Sequence, residues 1–438
     1  MNNVPGGRRD RKAVFGWVMY DWANSAFATT VMAGFFPIFF KDYWSDGSEP
    51  TESTFWLGVS VSTASLIVAV MAPLLGAIAD RGGTRKRFLL AFAGLGILAT
   101  SSLYFVAQGG WSHAAALYIV GIVGFLSSLI FYDALLINVS EPRNVDLISA
   151  RGYAFGYLGG GLLFLLNVIA VQQPSLFGLS GPAAAVRLSF VSVAIWWALF
   201  TIPLVLYVRE PHAGTRLPLV QSTREGFRQL LRTLRDIRRY KPVLVFLVAY
   251  WFYIDGVDTV VTMAVDYGKT IGYSTSDLIT ALLMVQFLGF PFAYLMGLLG
   301  HRWGTKRAIL LCIAVYVFVT IFGARLDLEP FTLFGIKIGK FYVLAFLVAL
   351  AQGGIQALSR SYYSRIIPKE RAAEFFGFYN MLGKFAAIIG PVLMGTVSRL
   401  SGSPRIGIVS IAVLFVIGAL VLLRVQEGDA RSQAGVNS

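Results

Sequence analysis

Two short stretches in different halves of the chain have nearly the same sequence: Asp80-Arg-Gly-Gly-Thr-Arg-Lys86 and His301-Arg-Trp-Gly-Thr-Lys-Arg307. Each follows a long apolar segment whose last turn begins near a glycine, Gly76 in the first copy and Gly297 in the second. Each also precedes another long apolar segment. A basic, glycine-containing loop at the same place in both halves of an apolar chain indicates a duplication, and it predicts two homologous helical bundles.

The composition is that of a membrane protein. Of the 438 residues, 56% are hydrophobic and 14% are charged, whereas soluble domains are about 45–50% apolar and about 25% charged. A helix needs about 20 apolar residues to cross the hydrocarbon core. Such runs predict an all-α polytopic protein with twelve transmembrane helices, at 14–40, 55–79, 88–107, 115–137, 151–171, 186–208, 242–265, 277–299, 308–324, 341–358, 374–397 and 405–424.

The placement of basic residues predicts the orientation. The net charge is +14, and 28 of the 37 Lys and Arg residues fall in the two tails and the even-numbered loops. Because cytoplasmic loops carry the excess of Lys and Arg, both termini are predicted to be cytoplasmic. The excess of basic residues is then explained by this orientation and by contact with anionic lipid. A nucleic-acid partner is not expected, because the sequence contains no folded basic domain.

A second, weaker internal similarity supports a duplication of six helices to give two sets of six. Tyr132-Asp-Ala-Leu135 recurs in the second half as Ile355-Gln-Ala-Leu358, at nearly the spacing of the two loops. Between the halves, apolar residues at helical spacing alternate with arginines. This pattern predicts an amphipathic helix on the cytoplasmic leaflet, with a partner-binding helix as the alternative. The predicted domains are a cytoplasmic tail (1–13), an N-terminal six-helix bundle (14–208), a cytoplasmic linker (209–241), a C-terminal six-helix bundle (242–424) and a second cytoplasmic tail (425–438).

Polar residues inside the spans are the candidates for function, because a charge at membrane depth costs about 2.5–3.5 kcal/mol or more. Asp21 and Asn24 share one helical face in the first span, and Asp255 and Asp258 share one in the seventh. The alternative is that these groups only join helices through hydrogen bonds. The candidates for substrate binding or proton coupling are Asp21, Asn24, Asp255, Asp258, Gln356, Asn380 and Lys384. Further candidates for lining a cavity are Asp133, Tyr153, Tyr157 and Gln352.

The fifth span carries a ridge of small residues, Gly152, Gly156 and Gly160, that predicts close helix packing or a contact that slides during transport. No enzyme is predicted. The three histidines have no metal-ligand spacing and the chain has no Walker loop, so we expect neither a metal nor a cofactor.

Four motifs in order resemble the vacuole-effluxer family of the major facilitator superfamily, which comprises autophagy-related amino-acid exporters of fungal vacuoles and their bacterial relatives. They are Tyr20-Asp-Trp-Ala-Asn-Ser-Ala-Phe27, Asp255-Gly256, Gly353-Gly-Ile-Gln-Ala-Leu-Ser-Arg-Ser361 and Glu374-Phe-Phe-Gly-Phe-Tyr-Asn380. The resemblance covers nearly the whole chain. It implies the two-bundle major facilitator fold.

The same resemblance implies a gating role for the first loop. The gating loop of the superfamily is similar to the segment that contains Gly76, Asp80, Arg81, Gly83 and Arg85. By resemblance, Asp80 would contact the opposing bundle and stabilise the outward-facing state. Its counterpart His301 cannot act as a permanent anion, so the second copy is expected to have lost that role.

The sequence therefore predicts a secondary transporter of small polar solutes, amino acids foremost, that works by alternating access in the cell membrane as a monomer. Proton coupling is a hypothesis based on the buried aspartates, because burial favours the neutral form of a carboxylate. The alternatives are an exporter of drugs or amphipathic compounds, a flippase for lipid-linked precursors, and, in a different class, a membrane sensor that transports nothing.

Overall fold

The computed structural model describes residues 9–45, 50–210, 224–233 except 226 and 229, 240–333, 336–386 and 389–425. Nearly all of these residues lie in helices, as the apolar runs predict. The helices of the first half are α1 (Arg9–Ala26), α2 (Phe36–Phe39), α3 (Pro50–Gly82), α4 (Arg85–Ser102), α5 (Trp111–Val139), α6 (Val145–Gln172) and α7 (Pro182–Tyr207). The π-helices Phe27–Phe35 and Phe40–Trp44 flank α2, and Leu103–Phe105 and Pro174–Phe177 are short 3₁₀ helices.

The second half has eight helices among the described residues. They are α8 (Lys241–Ile271), α9 (Thr275–Trp303), α10 (Thr305–Ala324), α11 (Lys340–Ile366), α12 (Ala372–Ala386), α13 (Ile389–Ser401), α14 (Pro404–Ser410) and α15 (Ala412–Leu423). Lys369–Arg371 is a 3₁₀ turn. The predicted tails and the linker with its amphipathic helix lie largely outside the described residues.

Eleven helical segments in the described part of the chain are long and apolar enough to cross a membrane. They coincide with eleven of the twelve predicted spans. The remaining one, predicted at 374–397, includes residues 387 and 388, which lie outside the described residues; α12 and α13 lie on either side of them. The count of twelve and the cytoplasmic termini therefore remain predictions, whereas the polytopic helical fold is confirmed.

The chain forms two compact units. Unit 1 contains Met1–Ser140, Phe155–Leu230 and Glu370–Phe378, and unit 2 contains Glu141–Ala154, Leu231–Lys369 and Tyr379–Ser438. In unit 1, α1 packs along α7 and α4 along α5. In unit 2, α11 packs against α9 and α10, and α15 packs along α8. The predicted bundles 14–208 and 242–424 remain a prediction, since each unit also includes a short segment from the other half of the sequence.

The duplicated loops perform the same structural task in each half. Lys86 Nζ donates to the carbonyl oxygens of Val205 at 2.5 Å and Val208 at 2.8 Å, at the end of α7. Lys306 Nζ donates to those of Leu423 and Val425, both at 2.9 Å, at the end of α15. Helix C-termini carry unsatisfied carbonyl groups and a negative dipole end, which an ammonium group stabilises. The basic residues of the repeat thus cap the last helix of their own half.

A short β-hairpin departs from the predicted all-helical fold. Strands Phe331–Leu333 and Ile336–Ile338 pair antiparallel between α10 and α11. Lys340 Nζ donates to both carboxylate oxygens of Asp327 at 2.6 Å and closes the base of this loop. This hydrogen bond keeps the pKa of Asp327 below its usual value.

We expect Gly76→Ala to destabilise the protein by about 1–3 kcal/mol, the usual cost of overpacking. A Cβ atom at Gly76 would overlap the backbone carbonyl of Ala373 in unit 1, and backbone atoms cannot rotate away as a flexible side chain can. The measurement is chemical denaturation of the purified protein in detergent micelles.

The matched control is Gly58→Ala in the same helix, α3. A Cβ at Gly58 meets nothing within 4 Å, so this change is expected to be neutral or slightly stabilising, because alanine favours helix over glycine. Equal destabilisation by the two substitutions would contradict the close backbone contact at Gly76.

Candidate functional site

In unit 1, Asp21 of α1 is 6% exposed and its Oδ2 accepts a hydrogen bond from the hydroxyl of Tyr132 on α5 at 3.0 Å. The glycine ridge of α6 adjoins the same face of α1. A Cβ at Gly156 would meet Ser25 Oγ and Asp21 Oδ1, and one at Gly160 would meet Thr29 Oγ1. The polar stripe of the first span therefore faces protein, as its carboxylate requires. The small residues of α6 make room for it.

Asn24 lies beside this stripe and is 2% exposed. Its Nδ2 has no hydrogen-bond partner among the described residues. A buried donor of this kind is costly unless water or a ligand satisfies it. Directly beyond it the backbone becomes π-helical over Phe27–Phe35, and such segments occur often at functional sites.

In unit 2, Asp255 of α8 is 1% exposed. Both of its carboxylate oxygens accept hydrogen bonds from the backbone N–H of Gly390, at 3.0 and 3.1 Å. Gly390 lies on α13. A carboxylate is a strong acceptor for a backbone N–H group, and here Asp255 supplies it from a helix that is distant in the sequence.

The structure distributes the other candidates over the two units. Unit 1 contains Asp133, which is buried on α5, and Tyr157 on α6. Partly exposed side chains in unit 2 are Asp258 of α8, Gln352 and Gln356 of α11, Asn380 of α12 and Tyr153 of α6. The Oε1 atom of Gln352 has no hydrogen-bond partner in the described part of the chain. Lys384 lies on α12, and its side chain is outside the described residues.

The first repeat loop is built around Asp80, at the end of α3. Its Oδ1 accepts from Arg85 Nε at 2.7 Å and from the backbone N–H of Ala373 at 3.1 Å. Its Oδ2 accepts from the N–H of Glu374 at 2.9 Å. Asp80 therefore joins the loop to the start of α12 within unit 1. Of the other residues of this segment, Gly76 lies against the Ala373 carbonyl and Arg81 is exposed. Gly83 has a φ of +55°, in the left-handed region that favours glycine.

Four charged residues were missed as sites. Arg360 is buried on α11, donates to Ser149 and stacks its guanidinium 4.4 Å from the Tyr153 ring centroid. Glu374 is buried and pairs with Arg371 at 2.9 Å. Asp146 and Arg365 pair at 2.6 Å. The sequence places all four near predicted loops, and two of them, Arg360 and Glu374, also lie within the motifs that resemble the family.

A family model described as vacuole effluxer Atg22 like matches residues 9–435. The chain belongs to this family. The match confirms the resemblance read from the four sequence motifs.

Two relatives illustrate the range of the vacuole-effluxer family. A bacterial one, described as an uncharacterized MFS-type transporter YxiO of Bacillus subtilis (strain 168), is 38% identical over 423 residues, which cover 96% of each chain. A fungal one, autophagy-related protein 22 of Coccidioides immitis (strain RS), is 25% identical and covers 99% of this chain and 91% of its own.

Solved structures confirm the fold of this family member. The major facilitator transporter FucP in the outward conformation superposes with a TM-score of 0.69 at 11% identity, covering 96% of this chain and 100% of its own. The proton:xylose symporter XylE superposes with a TM-score of 0.66 at 14% identity, covering 95% of each chain. Together with the family match and the bacterial relative, this fold makes the chain a multi-pass membrane transporter of the major facilitator fold and not an enzyme.

Proposed function

We propose that this vacuole-effluxer family member is a proton-coupled secondary transporter of small polar solutes, amino acids foremost. It would work by alternating access, as a monomer in the cell membrane with both termini in the cytoplasm. Asp255 would carry the coupling proton. Asp21, Asn24, Asp258, Gln356, Asn380 and Lys384 would contact substrate or assist coupling, with Asp133, Tyr153, Tyr157 and Gln352 lining the cavity.

The observation that carries the proposal is the hydrogen bonding of the Asp255 carboxylate on α8 to the backbone N–H of Gly390 on α13. A charged carboxylate accepts backbone N–H bonds strongly, and a protonated one accepts them weakly. Proton binding at Asp255 would therefore weaken its contact with α13, and deprotonation would restore that contact. Because two states of the helix would bind the proton with different affinity, protons could shift the population between them.

The amino-acid class follows from the signs of the candidate charges. A zwitterion needs an anionic group for its amine and a cationic group for its carboxylate. Asp21 and Asp255 supply the first and Lys384 supplies the second. Asn24 Nδ2, which has no hydrogen-bond partner in the part of the chain that the structure describes, is a further donor for a carboxylate oxygen. The family description, which names an effluxer, supports export of such solutes.

The described part of the linker supports contact with lipid. Phe227 and Leu231 are each 51% exposed and lie one helical turn apart. Arg224 and Arg228 are exposed in the same segment. Apolar side chains together with arginines suit a helix that lies on an anionic leaflet.

The experiment is a ligand screen by thermal stabilisation of the purified protein, followed by flux measurements in proteoliposomes with and without an imposed pH gradient. A ligand at about 100 times its Kd stabilises the folded state by about 2.7 kcal/mol. We expect at least one amino acid to stabilise the protein and to accumulate against its gradient when protons drive it.

Two outcomes would favour the rival functions. Stabilisation by hydrophobic cations without any effect of amino acids would indicate an exporter of amphipathic compounds. Binding without flux in either direction would indicate a sensor.

A further inference from the structure

The first span of unit 1 changes its helix type after α1. Residues Phe27–Phe35 form a π-helix, and at its end the backbone N–H of Phe36 donates to the carbonyl oxygen of Val31, five residues back. Each such turn holds one residue more than an α turn. Because π turns occur mostly as single bulges in α-helices, a π-helix of nine residues is unusually long.

Thr30 lies inside this π-helix, and its side chain is 0% exposed. Its Oγ1 has no hydrogen-bond partner within the described parts of the chain. Three buried threonines of α-helices donate instead to the carbonyl oxygen four residues back: Thr100 to Gly96 at 2.7 Å, Thr201 to Trp197 at 2.6 Å and Thr259 to Asp255 at 2.6 Å. In an α-helix, Thr30 would donate to Ala26 in the same way. The α form would therefore satisfy a buried donor, which is costly to leave unpaired.

Gly34 permits the close packing of the π form. A Cβ atom at this position would lie 2.7 Å from the ring of Phe164 on α6 and 3.0 Å from the carbonyl oxygen of Thr29. The second contact is with the backbone of the π-helix itself. The π form therefore accommodates glycine at this position and no larger residue.

The aromatic residues that follow the π-helix occur in adjacent pairs, one helical turn apart. In the structure, the second member of each pair is fully buried. The ring of Phe36 stacks on that of Tyr118 of α5 with centroids 3.6 Å apart, and Trp44 Nε1 donates to the carbonyl oxygen of Val106 at 3.3 Å. A shift of one residue would place the first member of each pair where the second now lies. The three pairs are Phe35 and Phe36, Phe39 and Phe40, and Tyr43 and Trp44.

The part of the span before the π-helix is held in place by a charged hydrogen bond. Asp21 Oδ2 accepts from the hydroxyl of Tyr132, whose ring also stacks on that of Trp17 with centroids 4.4 Å apart. Because a one-residue shift would break this bond, whereas the paired rings can exchange places, the movement falls on the part after the π-helix.

We propose that residues 27–35 are a register switch, which passes between the π form and an α form. Conversion to the α form moves the segment Phe36–Trp44 by one residue, which turns it by about 100° and advances it by about 1.5 Å. Such register shifts are known as two-state elements of conformational change. The proposal rests on the proposed function, because alternating access is the process that would use the switch.

The test measures the register without any substrate. One spin label is placed at Lys41→Cys on the moving segment, and the second at His113→Cys on α5 or at Ser175→Cys after α6, all of them exposed positions of unit 1. The background is Cys312→Ser, since Cys312 is the single native cysteine. The two distances are measured by double electron–electron resonance in nanodiscs. A turn of the segment changes them by different amounts.

Gly34→Ala is expected to raise the population of the shifted distances about fivefold, because alanine favours an α-helix over glycine by enough to move a two-state equilibrium to this extent. Adding Thr30→Val should return the population towards that of the wild type. Valine resembles threonine in shape but cannot make the hydrogen bond of the α form. The two substitutions therefore act in opposite directions, which a general loosening of the helix would not produce.

Two substitutions on α4 are the matched controls. Gly94→Ala adds a Cβ that meets nothing within 4 Å, and Thr100→Val removes a buried hydroxyl that is bonded to Gly96. Both should leave the distances unchanged. If Gly34→Ala folds poorly, Gly34→Ala/Phe164→Leu takes its place, because leucine removes the ring contact and leaves the contact with Thr29.

Unchanged distances in folded Gly34→Ala, or in the variant that takes its place, would overturn the register switch. An equal shift in Gly94→Ala or Thr100→Val would also overturn it. These failures are distinguishable from a failure of the proposed function, because the distances do not depend on the identity of the substrate. If the register shifts but no amino acid is transported, the substrate class is wrong and the switch stands.

Discussion

Replacing Asp80 by alanine is expected to lower the free energy of unfolding by about 3–5 kcal/mol, the usual cost of removing one partner of a buried ion pair. The side chains of Asp80 and Arg85 are only 1% and 10% exposed, and they pair at 2.7 Å. The substitution removes that carboxylate from Arg85. It also removes the acceptor of two backbone N–H groups at the start of α12.

The measurement is chemical denaturation in detergent micelles, with Arg85→Ala and the double variant completing a cycle. The double variant should lower the free energy of unfolding by less than the sum of the two single variants, since both single changes disrupt the same interaction. Glu141→Ala is the matched control. Glu141 pairs with Arg143, and their side chains are 53% and 82% exposed. The free energy of unfolding should therefore fall by no more than about 1 kcal/mol. A similar loss in Asp80→Ala and Glu141→Ala would show that Asp80 does not form a buried charged contact.

Asp255→Asn is expected to abolish proton-driven accumulation of substrate and to leave counterflow intact. Asparagine retains an oxygen that can accept the Gly390 N–H bond, so the contact between α8 and α13 is kept. What it loses is the ability to change charge, on which coupling depends. The measurement compares uptake driven by a pH gradient with exchange at equal pH, in proteoliposomes with matched protein content.

Asp42→Asn is the control for the loss of a carboxylate, because Asp42 is exposed at the end of the first span. It should retain both activities. Accumulation driven by protons in Asp255→Asn would exclude Asp255 as the coupling group. Loss of both accumulation and counterflow would instead assign Asp255 to substrate binding or to the fold.

Most of the fold could be predicted from local sequence patterns. The two similar loops, 80–86 and 301–307, indicated the duplication. Apolar runs of sufficient length indicated where helices lie, because helices satisfy their own backbone hydrogen bonds in lipid. The predicted tenth span ended at 358, whereas α11 continues to Ile366. Arg360 and Arg365 were therefore assigned to a loop, although they lie on the last turns of this helix. Apolarity detects the hydrocarbon crossing, but it does not detect polar helix ends that are buried by protein.

The candidate site was predictable only in part. Helical spacing placed Asp21 and Asp255 on polar stripes, and the structure buries both. Their partners could not be read in the same way. Tyr132 is 111 residues from Asp21, and Gly390 is 135 residues from Asp255.

The sequence by itself determined the helices, the duplication and the class of protein, because apolar length, basic loops and repeated motifs are local properties that any fold of this chain must accommodate. The tertiary structure alone decided the partner of each buried charge. The pair of Asp146 and Arg365 is a clear case. These two residues are 219 positions apart in the sequence, and the packing of the helices brings them together. Such pairs form because a buried charge needs a partner wherever packing places one.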